Sequence, residues 1–198
     1  FAADLPKAVY DRSAPDWQAR GPWNVGGRTR GLAIDVTNEN RILAGAVSGG
    51  LWLSEDGGQS WARKTPLNAH PGCVSIAQDT RAGHTNTWYY ISGEYFGPSA
   101  SGGGGAYFLG DGMFKSTDGG NTWAVLGATD NGDEGSFTNV WQAAYRVVTD
   151  PVSTQDVVYA ASYNAIWRST NGGTSWGVTL GSSTTSPFSY ATDVAITS

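Results

Sequence analysis

The sequence predicts an all-β fold built of repeated four-stranded antiparallel sheets. Three observations predict it. An octapeptide of the form S-x-[DN]-G-G-x-[ST]-W occurs three times, at 54–61, 116–123 and 169–176. Short apolar runs of strand length flank every copy. Nine Trp, nine Tyr and 28 Gly supply aromatics for pleated surfaces and glycines for tight turns.

The octapeptide reads as the turn of a hairpin. Its fixed positions are Ser54, Asp56, Gly58 and Trp61 in the first copy, and Ser116, Asp118, Gly120 and Trp123 in the second. The third carries Ser169, Asn171, Gly173 and Trp176. Glycine and Asn/Asp tolerate the positive φ that tight hairpins demand. The Ser hydroxyl and Asp carboxylate can bond the turn's own backbone. The Trp covers the hairpin while its indole N–H finds an acceptor. Asn171 argues for a structural role, because it keeps the turn bonding and loses the charge that acid–base chemistry needs.

Residues 1–27 show no periodicity and are broken by Pro6, Pro15 and Pro22. They form either an ordered lead-in lying on the domain through Trp17 and Trp23, or a disordered tail. Blade one is expected over about 28–65, with strands at 30–35, 41–47, 51–54 and 61–64 and a turn at 36–40. A second unit spans about 73–127 and a third about 140–180, with strands at 141–150, 157–162, 165–169 and 175–180. Asp35, Asp79 and Asp150 recur at the close of strand one. Residues 190–198 resemble the first strand of a fourth unit. The middle unit carries an insertion at 94–110, glycine-rich in its centre and aromatic at both ends, where the others have a short turn. In repeat folds such insertions map to one face, often the binding face.

Four-stranded units repeated in this way predict the blades of a β-propeller. A closed propeller has roughly four or more blades, so three and a first strand predict an incomplete ring. The remaining blades are expected from the same or another chain.

The totals exclude some functions. The formal charge is −5 with no basic block, which argues against nucleic-acid binding. No apolar run reaches the length of a membrane span. Cys73 is the one cysteine, so no intrachain disulfide forms, and it reads as a small buried hydrophobe. No signal peptide is present; a start at Phe1 reads as processing or as a non-natural start.

The octapeptide resembles the Asp-box, or bacterial neuraminidase (BNR) repeat. Together with Gly26, Gly27, Arg28 and Arg30, and with Ser48 through Trp52, it resembles the sortilin-type (VPS10-like) propellers over about 21–198. That resemblance implies a bacterial secreted or cell-surface protein of the kind exported by type IX secretion. It implies a protein or carbohydrate ligand, or an assembly role with no ligand of its own. It also admits glycoside hydrolases of sialidase or xyloglucanase type, because fold does not fix function.

Binding candidates are Arg28 and Arg30 at the start of an inner strand, and Tyr95, Phe96, Tyr107 and Phe108 at the ends of the insertion. The aromatics can equally fold back and cover the blade. A glycosidase needs two carboxyl groups about 5 Å or about 6.5–9.5 Å apart. Asp35, Glu94, Asp111, Asp133 and Glu134 are available, and none sits in a motif. The three arginines of a sialidase are not visible: Val74 and Tyr145 hold the positions equivalent to Arg30, and Arg146 is one residue out of phase. Where xyloglucanase relatives carry an Asp before the first Gly-Gly, this sequence has Val47. No cofactor is expected. Asp130, Asp133 and Glu134 make a weak calcium candidate, lacking the regular ligand spacing of an EF-hand. His70 and His84 lack the neighbours of a zinc site.

Overall fold

A computed structural model describes residues 28–65, 72–94, 108–130, 132, 135–185 and 192–196. The expected lead-in 1–27 lies outside the described residues.

Three four-stranded antiparallel sheets follow one another along the chain. The first contains β1 (Thr29–Asp35), β2 (Asn38–Ala46), β3 (Gly50–Ser54) and β4 (Ala62–Arg63). Next come β5 (Ser75–Gln78), β6 (Trp88–Ile91), β7 (Met113–Ser116) and β8 (Ala124–Val125). The last holds β9 (Ala144–Thr149), β10 (Val158–Ser162), β11 (Ala165–Ser169) and β12 (Gly177–Gly181). Strand order within every sheet is sequential. These are the three expected blades. The first strands are innermost: β5 packs between β1 and β9.

Within the blades, two elements differ from expectation by more than a residue or two at a strand end. The turn of blade one shortens to Val36 and Thr37, because β2 begins at Asn38. Blade three opens with a 3-10 turn at Val140–Gln142, where a strand from 141 is expected. Asn139 accepts from Trp141 N, and the Gln142 side chain accepts from Thr138 N and Asn139 N. That capping box competes successfully with an extended backbone.

The core lies between blades. Leu43, Leu51 and Leu53 of blade one meet Cys73, Ile76, Trp88 and Tyr90 of blade two. Tyr89, Ile91 and Met113 of blade two meet Val147, Ala160 and Trp167 of blade three. Side-chain bonds reinforce both joints. Gln78 donates to Asp35 Oδ1 at 3.0 Å and accepts from Val36 N at 2.9 Å. Thr149 Oγ1 donates to the Gln78 carbonyl at 2.6 Å. Cys73 is fully buried, and burial alone raises its thiol pKa, as expected of a packing residue.

Thr192–Ile196 carries no ladder. Asp193 lies 3.7 Å from Arg146 on β9, which sets the segment beside the last inner strand.

Candidate binding face

Antiparallel order gives the blades two rims. One gathers the starts of inner strands with the ends of second strands. The other gathers the ends of inner strands with the octapeptide turns.

On the octapeptide rim the carboxylates are committed to their own turns. Asp56 accepts from Ser54 Oγ, Ser60 N and Ser60 Oγ at 2.8, 2.8 and 2.5 Å. Asp118 repeats the pattern with Ser116 and Thr122. Ser60 and Thr122 are the main cause that holds these two carboxyl groups down at about 2. The Ser54 and Ser116 hydroxyls also accept from the Gly58 and Gly120 amides. Trp61, Trp123 and Trp176 each donate their indole N–H to the second glycine's carbonyl, at 2.9–3.1 Å. Gly58, Gly120 and Gly173 sit at φ of 89°, 87° and 92°, a conformation that favours glycine. Asp35, Asp79 and Asp150 each accept from the amide two residues on. Asp35 is therefore a turn residue.

A clasp that the sequence did not announce joins blades two and three on the same rim. The Arg81 guanidinium donates to Asp79 and Asp156 at 2.5 Å each. It also donates to the carbonyls of Ser153 and Gln155 at 3.2 and 2.8 Å. The Arg81 bond is the main cause lowering the Asp156 pKa. Ligand atoms of Asp79, His84 and Asp156 lie within 4.8 Å of one another, so the trio has the outline of a metal group. Arg81 already supplies the positive charge there. Of the weak calcium candidate, Asp130 accepts from Gly132 N, while Asp133 and Glu134 lie outside the described residues.

The opposite rim holds the binding candidates. Arg28 and Arg30 begin the innermost strand of blade one. Both reach across to blade two, where Glu94 is buried: Arg28 donates to Glu94 Oε2, and Arg30 Nε lies 3.2 Å from Glu94 Oε1. Glu94 and Phe108 exchange backbone hydrogen bonds at 2.6 and 2.8 Å, closing the neck of the insertion. Just inside that neck, Ser92 Oγ donates to the Gly112 carbonyl and accepts from Asp111 N. Gly110 N donates to the Gln142 carbonyl, and Ala144 N to the Gly93 carbonyl. The neck is thus tied to blade one by charge and to blade three by backbone. Phe108 presents an exposed ring at 43% accessibility. Tyr95, Phe96 and Tyr107 lie outside the described residues.

Among the described residues, the arginines weighed for a sialidase clamp do not come together. Val74 is buried, and Arg146 pairs with Asp193 instead of joining Arg28 and Arg30. Val47, which holds the position where the xyloglucanase resemblance leads one to expect an Asp, is buried at 3% accessibility.

Solved structures decide the fold. An ancestral GH74 enzyme superposes with a TM-score of 0.56 and 27% identity, over 75% of this chain and 18% of that chain. The GH74 enzyme of Niastella koreensis gives 0.51 and 18%, over 76% of this chain and 21% of its own. The fold is a β-propeller's. A YCF48 structure bound to a D1 peptide gives a TM-score of 0.48 at 14% identity, over 77% of this chain and 40% of that chain. The chain therefore spans about a fifth of the length of the GH74 structures it matches. No family model and no curated protein sequence matches the chain. Among the described residues, no helix is long and apolar enough to cross a membrane.

Proposed function

We propose that the chain is part of a binding propeller of the Asp-box, sortilin-like type, secreted or displayed on a bacterial cell surface. Its ligand is a protein or a glycan, held at the rim of Arg28, Arg30 and Phe108. The observation that carries this reading is the neck of the insertion. Glu94 and Phe108 are paired by backbone, buttressed by two arginines from blade one, and tied to blade three on the other side. A neck anchored to both neighbouring blades suits a loop presented from a rigid scaffold. Phe108 leaves it with an exposed ring that can stack on a sugar or enter a partner's pocket. In sequence, Tyr95, Phe96 and Tyr107 extend the same aromatic supply.

A second reading, a glycoside hydrolase, is favoured by the 27% identity to an ancestral GH74 enzyme. Two observations weigh against it in these blades. Val47 occupies the position of the expected acid, and Glu94 is engaged with two guanidinium groups.

The experiment screens the chain, and the polypeptide it belongs to, on glycan and peptide arrays and on fluorogenic glycosides. Array binding that weakens at least tenfold with Phe108→Ala or with deletion of 95–107 is expected. Glycoside turnover abolished by one carboxylate substitution would replace this reading with the hydrolase.

A further inference from the structure

Asn171 and Gly172 form an Asn-Gly pair inside the third octapeptide. Such a pair deamidates readily, because glycine puts no side chain in the way when its amide nitrogen closes on the preceding carboxamide. The turn holds the electrophile ready. Asn171 Oδ1 accepts from Ser169 Oγ and from Ser175 N, both at 2.9 Å. These donors polarise the carbonyl and stand where negative charge builds on its oxygen during attack. Asn171 is exposed, and so is Asp118, which holds the same place in a turn with a blade on either side. The exposure therefore belongs to the turn.

The nucleophile is held back. Gly172 is buried, and its N–H donates to the Asp156 carbonyl at 2.8 Å. Blade two covers it. Lys115 Nζ donates to the Gly172 carbonyl at 3.3 Å. A Cβ at Gly172 would stand 2.7 Å from that Nζ and 3.3 Å from the Tyr89 hydroxyl. Asp156, whose carbonyl holds the amide, is itself held through its carboxylate by Arg81 of blade two. The joint thus keeps water and base from the N–H that must lose its proton. The chain carries a second pair at Asn131 and Gly132. There the glycine is exposed, with its N–H on the Asp130 carboxylate.

We propose that Asn171 is a deamidation site gated by the joint between blades two and three. When the joint opens, Gly172 N loses its proton and attacks Asn171 Cγ. Ammonia leaves and a cyclic imide forms. Water then opens the imide at either carbonyl, leaving aspartate or isoaspartate. One water enters and one ammonia departs, with no change of oxidation state. Aspartate gives the third turn the carboxylate that Asp56 and Asp118 give the other two. Isoaspartate adds a backbone carbon at the residue that ties Ser169 to Ser175, and so dismantles the turn. Asn171 therefore records joint opening as a covalent change. The inference is independent of the ligand reading above.

Peptide mapping by mass spectrometry tests it, on the 198-residue chain aged in mildly alkaline buffer with and without urea. Asn131 is the internal reference. In urea the two Asn-Gly pairs should convert at similar rates. In the folded chain Asn171 should convert about tenfold more slowly than in urea, because it waits on local opening. Asn131 should slow far less. Arg81→Met, shown by circular dichroism to keep its strands, should speed conversion at Asn171 and leave Asn131 unchanged. If that variant does not fold, Lys115→Ala carries the same expectation. Conversion of Asn171 as fast in the folded chain as in urea overturns the proposal. So does a folded joint variant whose Asn171 converts at the wild-type rate.

Discussion

Asn171 Nδ2 donates to Ser175 Oγ at 2.8 Å, reversing the bond that Thr122 Oγ1 donates to Asp118. Asn171 Oδ1 still accepts from Ser169 Oγ and Ser175 N, so the turn keeps its geometry without a charge. The three turns therefore differ in how they respond to pH. The Asp56 and Asp118 carboxyls fall from 3.8 to about 2 in the folded chain. A depressed folded pKa means the unfolded chain binds protons more readily, so stability rises with pH. Their contribution is complete above about pH 4 and lost as pH falls through about 2. Melting temperatures measured across that window should fall less steeply in Asp56→Asn/Asp118→Asn. Asn171→Asp should steepen them.

Substitution of Arg81 should loosen the joint between blades two and three. Asp79 is buried and Arg81 nearly so, and removing the cation strands a carboxylate in low dielectric. Breaking such a pair costs about 3 kcal/mol, so Arg81→Met should lower stability by that order in denaturant unfolding. Arg81→Lys should recover only part of the loss, because four acceptors surround a planar fork that an ammonium cannot match.

Gly45 faces Cys73 across the first joint. A Cβ at Gly45 would stand 2.2 Å from Cys73 Sγ and 2.8 Å from its Cβ. Gly45→Ala should destabilise by about 1–3 kcal/mol, the usual cost of overpacking. In a Cys73→Ala background the penalty should shrink without vanishing, since the contact to Cβ remains. Equilibrium unfolding of the double-mutant cycle checks both statements.

The Glu94 neck should open when its arginines go. Arg28→Ala/Arg30→Ala leaves a buried carboxylate with neither cation. Amide hydrogen exchange should then quicken at Glu94 and Phe108, whose N–H groups close the neck. Exchange in the remote strand β10 should be unaffected.

The octapeptides made the blades legible in the sequence, because each encodes a self-contained turn whose partners lie within a few residues. Strand boundaries followed wherever alternation and the closing Asp agreed. Asn139 and Gln142 also spelled a local capping box, and the apolar run after them masked it. The Arg81 clasp was invisible for another reason: its partners in blade three lie more than seventy residues away, on an irregular turn. Its one sequence signal was Arg81 placed two residues after the closing Asp79. Arg28, Arg30 and Glu94 were each singled out from sequence, yet only the packing of blade one on blade two brings them together.

The central claim is that ligand binds at the neck rim and away from the octapeptide rim. Amide chemical-shift mapping of the isotope-labelled chain, titrated with the best array glycan or peptide, tests it most directly. The account predicts shifts concentrated at Arg28, Arg30, Ser92, Glu94 and Phe108. Shifts confined to the turns at Asp56, Asp118 and Asn171 would contradict it.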